Sequence, residues 1–323
     1  MSTSWSLCSR MRVFCALLLV IGAGLRAERY AIFFDLGGVL LEWDRAAQVQ
    51  TLAEKGLSVT DYPALLAESM QLLEDVGGGC GPDGKGLQKP EPGSAPARWV
   101  GGVVAPRNVC LWFAGKMSGQ ELVEATDAYI NNFKKVAFFE SLEAYNKCFA
   151  RLKLLRDVIY CNYDPVFNMR FIRTIPTGVA LLQECIASVG ANRVYMLSNW
   201  SRDQLALLEQ SPRVTPVFDV IPRKNRVISG LVGTVDSEGI IHNIKPYRSI
   251  FEYVFKTYNL RPEQCIFIDD QEENLQPARA CGMHAIHLVN RDFGAVRAEL
   301  ERLGVFEHQV QKVANIVPVM QGV

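Results

Sequence analysis

The sequence predicts an α/β protein, an open, doubly wound parallel sheet with a helical domain inserted after its first strand. Three observations predict it. Short apolar runs alternate with helical patterns through the second half of the chain. A first apolar run of the same kind stands alone far upstream, and about half of the 323 residues are apolar, enough for a sizeable core.

At the start of the chain, Arg10 and Arg12 precede an apolar run from Val13 to Leu25, and small residues lead out of it to Ala27. A basic start, a short apolar centre and a small-residue exit resemble a secretory signal peptide over residues 1–27, which predicts export to a periplasm or the outside. The run is shorter than the ~20 apolar residues a membrane-spanning helix needs, so no stable membrane anchor is expected. The alternative is an extra N-terminal helix on a cytoplasmic protein. Removing Cys8 and Cys15 with this segment leaves seven of the nine cysteines, an odd number without paired spacing. Cys265 and Cys281 fall in apolar contexts, and the set reads as buried thiols rather than a disulfide framework.

The first strand is Ala31 to Phe34. From Asp44 to Tyr163 the chain is helix-rich and poor in strand signals, as in AAQVQTLAEKGL, GQELVEATDAYINNFKKV and LEAYNKCFARLKLL. A segment of that length between the first strand and the others forms its own small helical domain, a cap over residues 44–163, with the core made of 28–43 plus 164–323. Within the cap, residues 76–102 are rich in Gly and Pro and read as an irregular surface loop. Gly79 to Lys85 matches part of a phosphate-binding P-loop, but Gly86 stands where a Ser or Thr should hold a metal and no buried strand leads in.

The second half supplies the rest of the sheet. Val194 to Leu197, Cys265 to Ile268 and His284 to Leu288 read as buried strands. Helices are expected at Thr177 to Val189, Ser201 to Leu208, Tyr247 to Tyr258 and Asn274 to Cys281. Ser201 with Gln204 has the spacing of a capping box, Asn274 is a candidate cap with Pro277 in the first turn after it, and Gly282 is a stop.

Lys plus Arg equal Asp plus Glu at 34 each, which excludes the broad positive field that nucleic acid binding needs. Any anion site is local. Three stretches lie at carboxyl ends of predicted strands, where open α/β sheets place ligands: Asp35, Ser198-Asn199 and Asp269-Asp270. A fourth is Lys245, ahead of a helix entered through Pro246. Clustered carboxylates raise one another's pKa unless a cation sits among them, and oxygen ligands without His or Cys favour magnesium. The metal would grip a phosphoryl oxygen, with Lys245 balancing charge and Ser198 and backbone amides donating hydrogen bonds. One carboxylate is then free to attack phosphorus.

In FFDLGGVLLEW, MLSNWSRD, NIKPYRSIFEYV and IFIDDQEENLQPARACGM, taken in this order, the chain resembles the haloacid dehalogenase superfamily of phosphatases and phosphotransferases. The resemblance covers Arg29 to Trp43 and Phe171 to Arg291. Within the superfamily, the last motif and the SNW turn are similar to the phosphatase-type domain at the N-terminus of mammalian soluble epoxide hydrolases and to bacterial sugar-phosphate phosphatases. The resemblance implies Asp35 as nucleophile and metal ligand, with the Gly37 carbonyl as a second ligand. It implies Asp270 as a direct magnesium ligand, and Asp269 as one that acts through water or by orienting Lys245. Ser198 and the amide of Asn199 would hold the phosphate, Lys245 would stabilise the transferring charge, and Asn274 would support the acid pair. The insert corresponds to the family's cap, which closes over the site and selects the substrate, here expected to be a small phosphorylated metabolite.

Most phosphatases of this family carry a second Asp two residues after the nucleophile, which protonates the leaving oxygen and later activates water. Here that residue is Gly37. Its absence could cost roughly two to four decades in rate for a poor leaving group and less for an anomeric or acyl phosphate. Two other readings therefore stand beside a phosphatase: a catalytically weak protein that binds phosphate ligands or partners, and a dehalogenase, against which Asp269-Asp270 argue. His242, His284, His287 and His308 show no metal-ligand spacing. Trp43 and Trp200 either line the crevice or pack at the core edge.

Overall fold

The computed structural model describes residues 30–54, 62–77, 79–80, 86–87 and 105–306. The signal-peptide segment 1–27, His308 and most of the Gly/Pro-rich loop, including residues 81–85 of the P-loop-like stretch, lie outside the described residues.

The core sheet holds five strands, β1 (Ala31–Phe34), β2 (Val194–Ser198), β3 (Arg226–Ile228), β4 (Cys265–Asp269) and β5 (His284–His287), in the order β5-β4-β1-β2-β3. Every pairing is parallel. The chain leaves β1 for β2 and β3 on one side, then crosses back to β4 and β5 on the other. The reversal between β1 and β4 is where such sheets open a crevice at their carboxyl ends. β1, β2 and β4 are buried along their whole length, which is why they read as continuous apolar runs instead of alternating ones.

The period of two nevertheless sorts their side chains. Ile32, Phe34, Met196, Ile266 and Ile268 join the apolar cluster on one face, and Phe33, Tyr195, Leu197 and Phe267 join that on the other. A helix pattern must cover each face to keep both clusters dry.

The insert contributes α1 (Arg45–Ala53), α2 (Tyr62–Gly77), α3 (Arg107–Phe113), α4 (Gly119–Val136) and α5 (Leu142–Tyr163). They enclose a separate apolar cluster centred on Leu65, Leu73, Leu122, Val158 and Ile159. α4 begins with a complete capping box, in which Ser118 accepts from Glu121 N and the Glu121 carboxylate accepts from Ser118 N. Strand signals were faint in this region, but three two-residue strands, Gly79–Cys80, Gly86–Leu87 and Ala105–Pro106, pair beside the helices. The two crossings between core and insert also pair with each other. Leu41–Trp43 lies antiparallel to Ile172–Thr174, and Glu42 bonds Arg173 across them at 2.8 Å. Three residues per strand are too few for a readable alternation.

Besides three four-residue helices, Pro165–Asn168, Thr215–Phe218 and Ser229–Val232, the core contributes α6 (Pro176–Val189), α7 (Arg202–Leu208), α8 (Arg248–Tyr258), α9 (Glu272–Ala280) and α10 (Phe293–Arg302). Leu181 and Leu182 of α6, Leu205 of α7 and Val296 of α10 cover the first face; Ile250 and Phe251 of α8 and Leu275 of α9 cover the second.

Two expectations about the helices need correction. Ser201 does cap α7 by accepting from Gln204 N, but the Gln204 side chain turns instead to Asn168. Asn274 is not a cap, because α9 starts earlier, at Glu272 after Gln271, so that Pro277 falls inside the helix. Asn274 sits in its first turn with its amide spent on Asp269. Gly282 takes φ +94° after the helix, a conformation that suits the stop. Cys110, Cys148, Cys161, Cys185, Cys265 and Cys281 are free thiols, with Cys265 buried and Cys281 partly so. Among the described residues no helix is long and apolar enough to cross a membrane.

Candidate active site

The parallel register aligns the ends of β1, β2 and β4. Phe34 stands beside both Met196 and Ile268, and Asp35 N continues the ladder by donating to Ile268 O at 2.9 Å. Asp35, Ser198 and Asp269 therefore emerge side by side although the insert separates the first from the others in sequence.

Lys245 closes the group. Its Nζ lies 2.9 Å from Asp35 Oδ1 and 2.6 Å from Asp269 Oδ2, and all three residues are buried. Asp35 Oδ1 also accepts from Ser198 Oγ at 2.5 Å and from Leu36 N at 2.8 Å. Asp269 is saturated by the protein: Gln271 N and Asn274 Nδ2 donate to Oδ1, and Asn274 Nδ2 and Lys245 Nζ to Oδ2. Of the two roles the resemblance allows Asp269, this geometry favours orienting Lys245.

Asp270 differs. Its Oδ1 is buried and has no hydrogen-bond partner among the described residues. Asp35, Asp269 and Asp270 each bring a carboxylate oxygen within 4.8 Å of the others. An orphaned, buried carboxylate oxygen beside two further carboxylates is a donor set that fits a hard divalent cation. In the turn after β1 the backbone hydrogen bonds run from Gly38 N to Leu41 O and from Leu40 N and Leu41 N to Leu36 O, and among the described residues none of them uses the Gly37 carbonyl.

The titration directions agree with crowding of negative charge. Burial, with Asp269 adding to it against the opposing Lys245 and Ser198, pushes the Asp35 carboxyl up to about 7. Burial and then Asp269 raise Asp270. Burial disfavours the Lys245 ammonium, but the two carboxylates outweigh it and hold the amine above its ordinary range. A cation among these groups would favour the ionised nucleophile.

Glycine is required at one position here. Gly38 has φ +78°, and a Cβ on it would lie 2.0 Å from Asp270 Oδ2. At Gly37 a Cβ would meet the Trp43 ring, 3.3 Å from Cζ3 and 3.5 Å from Cη2.

Three features were not readable from sequence. Asn199 clamps the Lys245 peptide from both sides, its Oδ1 accepting from Lys245 N at 2.9 Å and its Nδ2 donating to Lys245 O at 2.7 Å. Trp43 and Trp200 stack on each other, centroids 5.1 Å apart and planes within 3°. Buried Asn168, from the chain returning out of the insert, accepts from Trp43 Nε1 at 2.7 Å. A hydrophobic residue beside each motif was the sole signal for the tryptophans.

These residues line a cavity of about 580 Å³ between core and insert. The core side carries Asp35, Ser198, Asn199, Lys245 and Asp270; the insert side mixes apolar Leu66, Met70, Val109, Trp112 and Phe113 with Arg45, whose guanidinium lies over the Trp43 ring, and Asn162. No histidine lines it among the described residues.

No protein-family model matches the chain. Over 60 residues it is 37% identical to bifunctional epoxide hydrolase 2 of Rattus norvegicus, a match that spans 19% of this chain and only 10% of that protein's length. Solved structures with a similar course include a haloacid dehalogenase family enzyme of Bacteroides thetaiotaomicron, in complex with magnesium and inorganic phosphate, at 16% identity. That match covers 80% of this chain and 93% of that one, with a TM-score of 0.42. Another is L-2-haloacid dehalogenase of Xanthobacter autotrophicus with chloropropionic acid covalently bound, at 14% identity over 84% and 82% of the two chains, with a TM-score of 0.40. None of them assigns this chain an activity. The chain resembles the hydrolases of the haloacid dehalogenase superfamily. The four sequence motifs that carry this resemblance converge on one crevice.

Proposed function

We propose that the chain is a magnesium-dependent phosphatase that hydrolyses a small phosphate monoester through a covalent aspartyl-phosphate on Asp35. The observation that carries this reading is the Lys245 ammonium bridging Asp35 and Asp269 beside the unpartnered Asp270 oxygen. Asp35, the Gly37 carbonyl and Asp270 would hold the magnesium ion, which when bound neutralises phosphoryl charge.

In this mechanism a carboxylate oxygen of Asp35 attacks phosphorus in line with the departing ester oxygen. Ser198 Oγ, bonded to Asp35, is within reach of a phosphoryl oxygen held against the nucleophile. Lys245 supplies positive charge where negative charge accumulates, and it costs no reorganisation because Asp269 and the Asn199 clamp fix it in advance. Water then attacks the aspartyl-phosphate, releasing inorganic phosphate and restoring Asp35. The insert wall would exclude bulk water from the crevice while the acyl phosphate exists.

The test is phosphate release from a panel of phosphorylated small molecules, with magnesium and with chelator. Release that needs magnesium and disappears in Asp35→Asn supports the reading. Chloride release from 2-chloropropionate in the presence of chelator, without phosphate release, would replace it with dehalogenation. Export through residues 1–27 is a separate proposal, decided by mass spectrometry of the mature N-terminus.

A further inference from the structure

Among the described residues three cations line the cavity, Arg45, Lys245 and Arg291, and two of them already have their counter-charges. Lys245 lies between Asp35 and Asp269. Arg291 pairs with Glu42 at 2.5 Å, Glu42 pairs with Arg173 at 2.8 Å, and Arg173 stands 3.5 Å from Asp44, so this cluster at the rim balances two positive against two negative charges. Arg45 is different. Its contacts among the described residues are with two side-chain amides and a ring, and none is with a carboxylate.

The protein nevertheless fixes where this unpaired guanidinium points. Arg45 opens α1, and Gln48, almost one turn on, accepts from its Nη1 at 3.0 Å. Gln48 is fully buried and is itself anchored, donating from Nε2 to Cys161 O at 3.1 Å. The guanidinium also lies over the Trp43 ring, 5.4 Å from its centroid, and that ring is held by Asn168 and by the stack on Trp200. A cation on a ring face is attracted by the ring's quadrupole. Nη1 is therefore spent, with Asn162 Oδ1 a further acceptor at 3.5 Å, while Nε and Nη2 make no hydrogen bond among the described residues.

Those two nitrogens form one edge of the guanidinium, and such an edge offers two parallel N–H groups that match the two oxygens of a carboxylate. One positive charge also suits a carboxylate better than a phosphate dianion, half of whose charge it would leave unmatched. The edge and the phosphoryl site border the same cavity of about 580 Å³. The Trp43 ring beneath Arg45 reaches to within 3.3 Å of where a Cβ on Gly37 would stand, two residues after the nucleophile.

Resting on the phosphatase reading, we propose that the substrate is a phosphorylated hydroxy acid, with its phosphoryl group at Asp35 and its carboxylate gripped by the free edge of Arg45. A guanidinium held in advance by Gln48 and Trp43 loses little freedom when the carboxylate arrives.

The experiment reads binding and turnover separately. Isothermal titration with magnesium present compares phosphonoacetate, 3-phosphonopropionate and 4-phosphonobutyrate, each with the alkylphosphonate of equal chain length. The span from Asp35 to Arg45 selects the spacing. At least one of the three is expected to bind about tenfold or more tightly than its alkyl partner, the low end for a hydrogen-bonded charge because Arg45 is open to solvent. Arg45→Gln should abolish that preference and leave the alkylphosphonates binding as in the parent, which shows that the variant is folded. Arg45→Lys, which keeps the charge without the fork, should retain only part of it. Equal affinities within every pair overturn the proposal, as does a preference that survives Arg45→Gln. Tighter binding of propane-1,3-bisphosphonate than of every phosphonocarboxylate would also overturn it, in favour of a second phosphate. Phosphate release from phosphoglycolate, 3-phosphooxypropionate and ethyl phosphate tests the reading beneath: a carboxylate preference in binding with no release from any ester would sink the phosphatase and leave the Arg45 site standing.

Discussion

Placing an acid at position 37 should not by itself speed hydrolysis of a poor leaving group, because the Trp43 ring stands where the acid would go. An ideal Cβ at Gly37 lies 3.3 Å from Cζ3 and 3.5 Å from Cη2. Ordinary contact begins near 3.4 Å, so the ring must give way by a few tenths of an ångström even for the Cβ, and further for the carboxyl group. It resists, being held by the 2.7 Å bond to Asn168 and the stack on Trp200. Overpacking of this kind costs about 1–3 kcal/mol, and each kcal/mol lowers Tm by roughly 2–4 °C in a domain approaching this size.

The assay is a double-mutant cycle on benzyl phosphate, read as kcat/KM with magnesium. Gly37→Asp alone should raise it by less than about tenfold. Gly37→Asp combined with Trp43→Leu should raise it by roughly two to four decades over Trp43→Leu alone, the range a positioned general acid supplies. If Gly37→Asp alone gains as much as the pair, Trp43 is not the obstacle. If neither gains, proton transfer does not limit the reaction, and an acid at position 37 is not what hydrolysis lacks.

Three further outcomes follow from the site. Lys245→Met leaves Asp35 and Asp269 buried without their cation and should destabilise the protein by about 3–5 kcal/mol, read by chemical denaturation in chelator. Gly38→Ala forces an alanine to φ +78°, costing about 1–2 kcal/mol, and drives a Cβ into Asp270. Magnesium affinity by isothermal titration should fall while the far-UV circular dichroism stays that of the parent. Magnesium should stabilise the parent by about 2.7 kcal/mol at a hundred times its Kd, seen as a rise in Tm that Asp270→Asn removes; an unchanged rise in that variant would exclude Asp270 as a ligand.

The legible part of the molecule is the part whose physics is local. β1, β2 and β4 could be read because burial on both faces demands short unbroken apolar runs, and Asp35, Ser198 and Asp269 because open α/β sheets place ligands where such runs end. β3 escaped notice: it is three residues long and opens on Arg226, whose guanidinium pairs with Glu209 at the sheet edge. The pairing of Leu41–Trp43 with Ile172–Thr174 escaped for the same reason of length. Local pattern reads Asn274 as a cap since Asn commonly caps; its place beside the acids comes from the resemblance, and the contacts of its amide with Asp269 from the structure. The Asn199 clamp on Lys245 joins two loops that no periodicity connects.

The Trp43–Trp200 stack exposes a deeper asymmetry between the two sides of the crevice. The attacking side is built from strand ends in one rigid sheet, so its residues are fixed by register, and their motifs persist as short readable words. The side that carries Trp43 has no such frame. Trp43 stands on the crossing out of the core, Asn168 on the chain returning from the insert, and Gln204 on α7 reaches Asn168 from the core at 3.5 Å. The position of the ring thus depends on core and insert meeting correctly, and no single segment carries the information that sets it. Gly37 and Trp43 are coupled through that meeting: the glycine leaves the space into which the ring reaches, and a side chain at 37 would press on it.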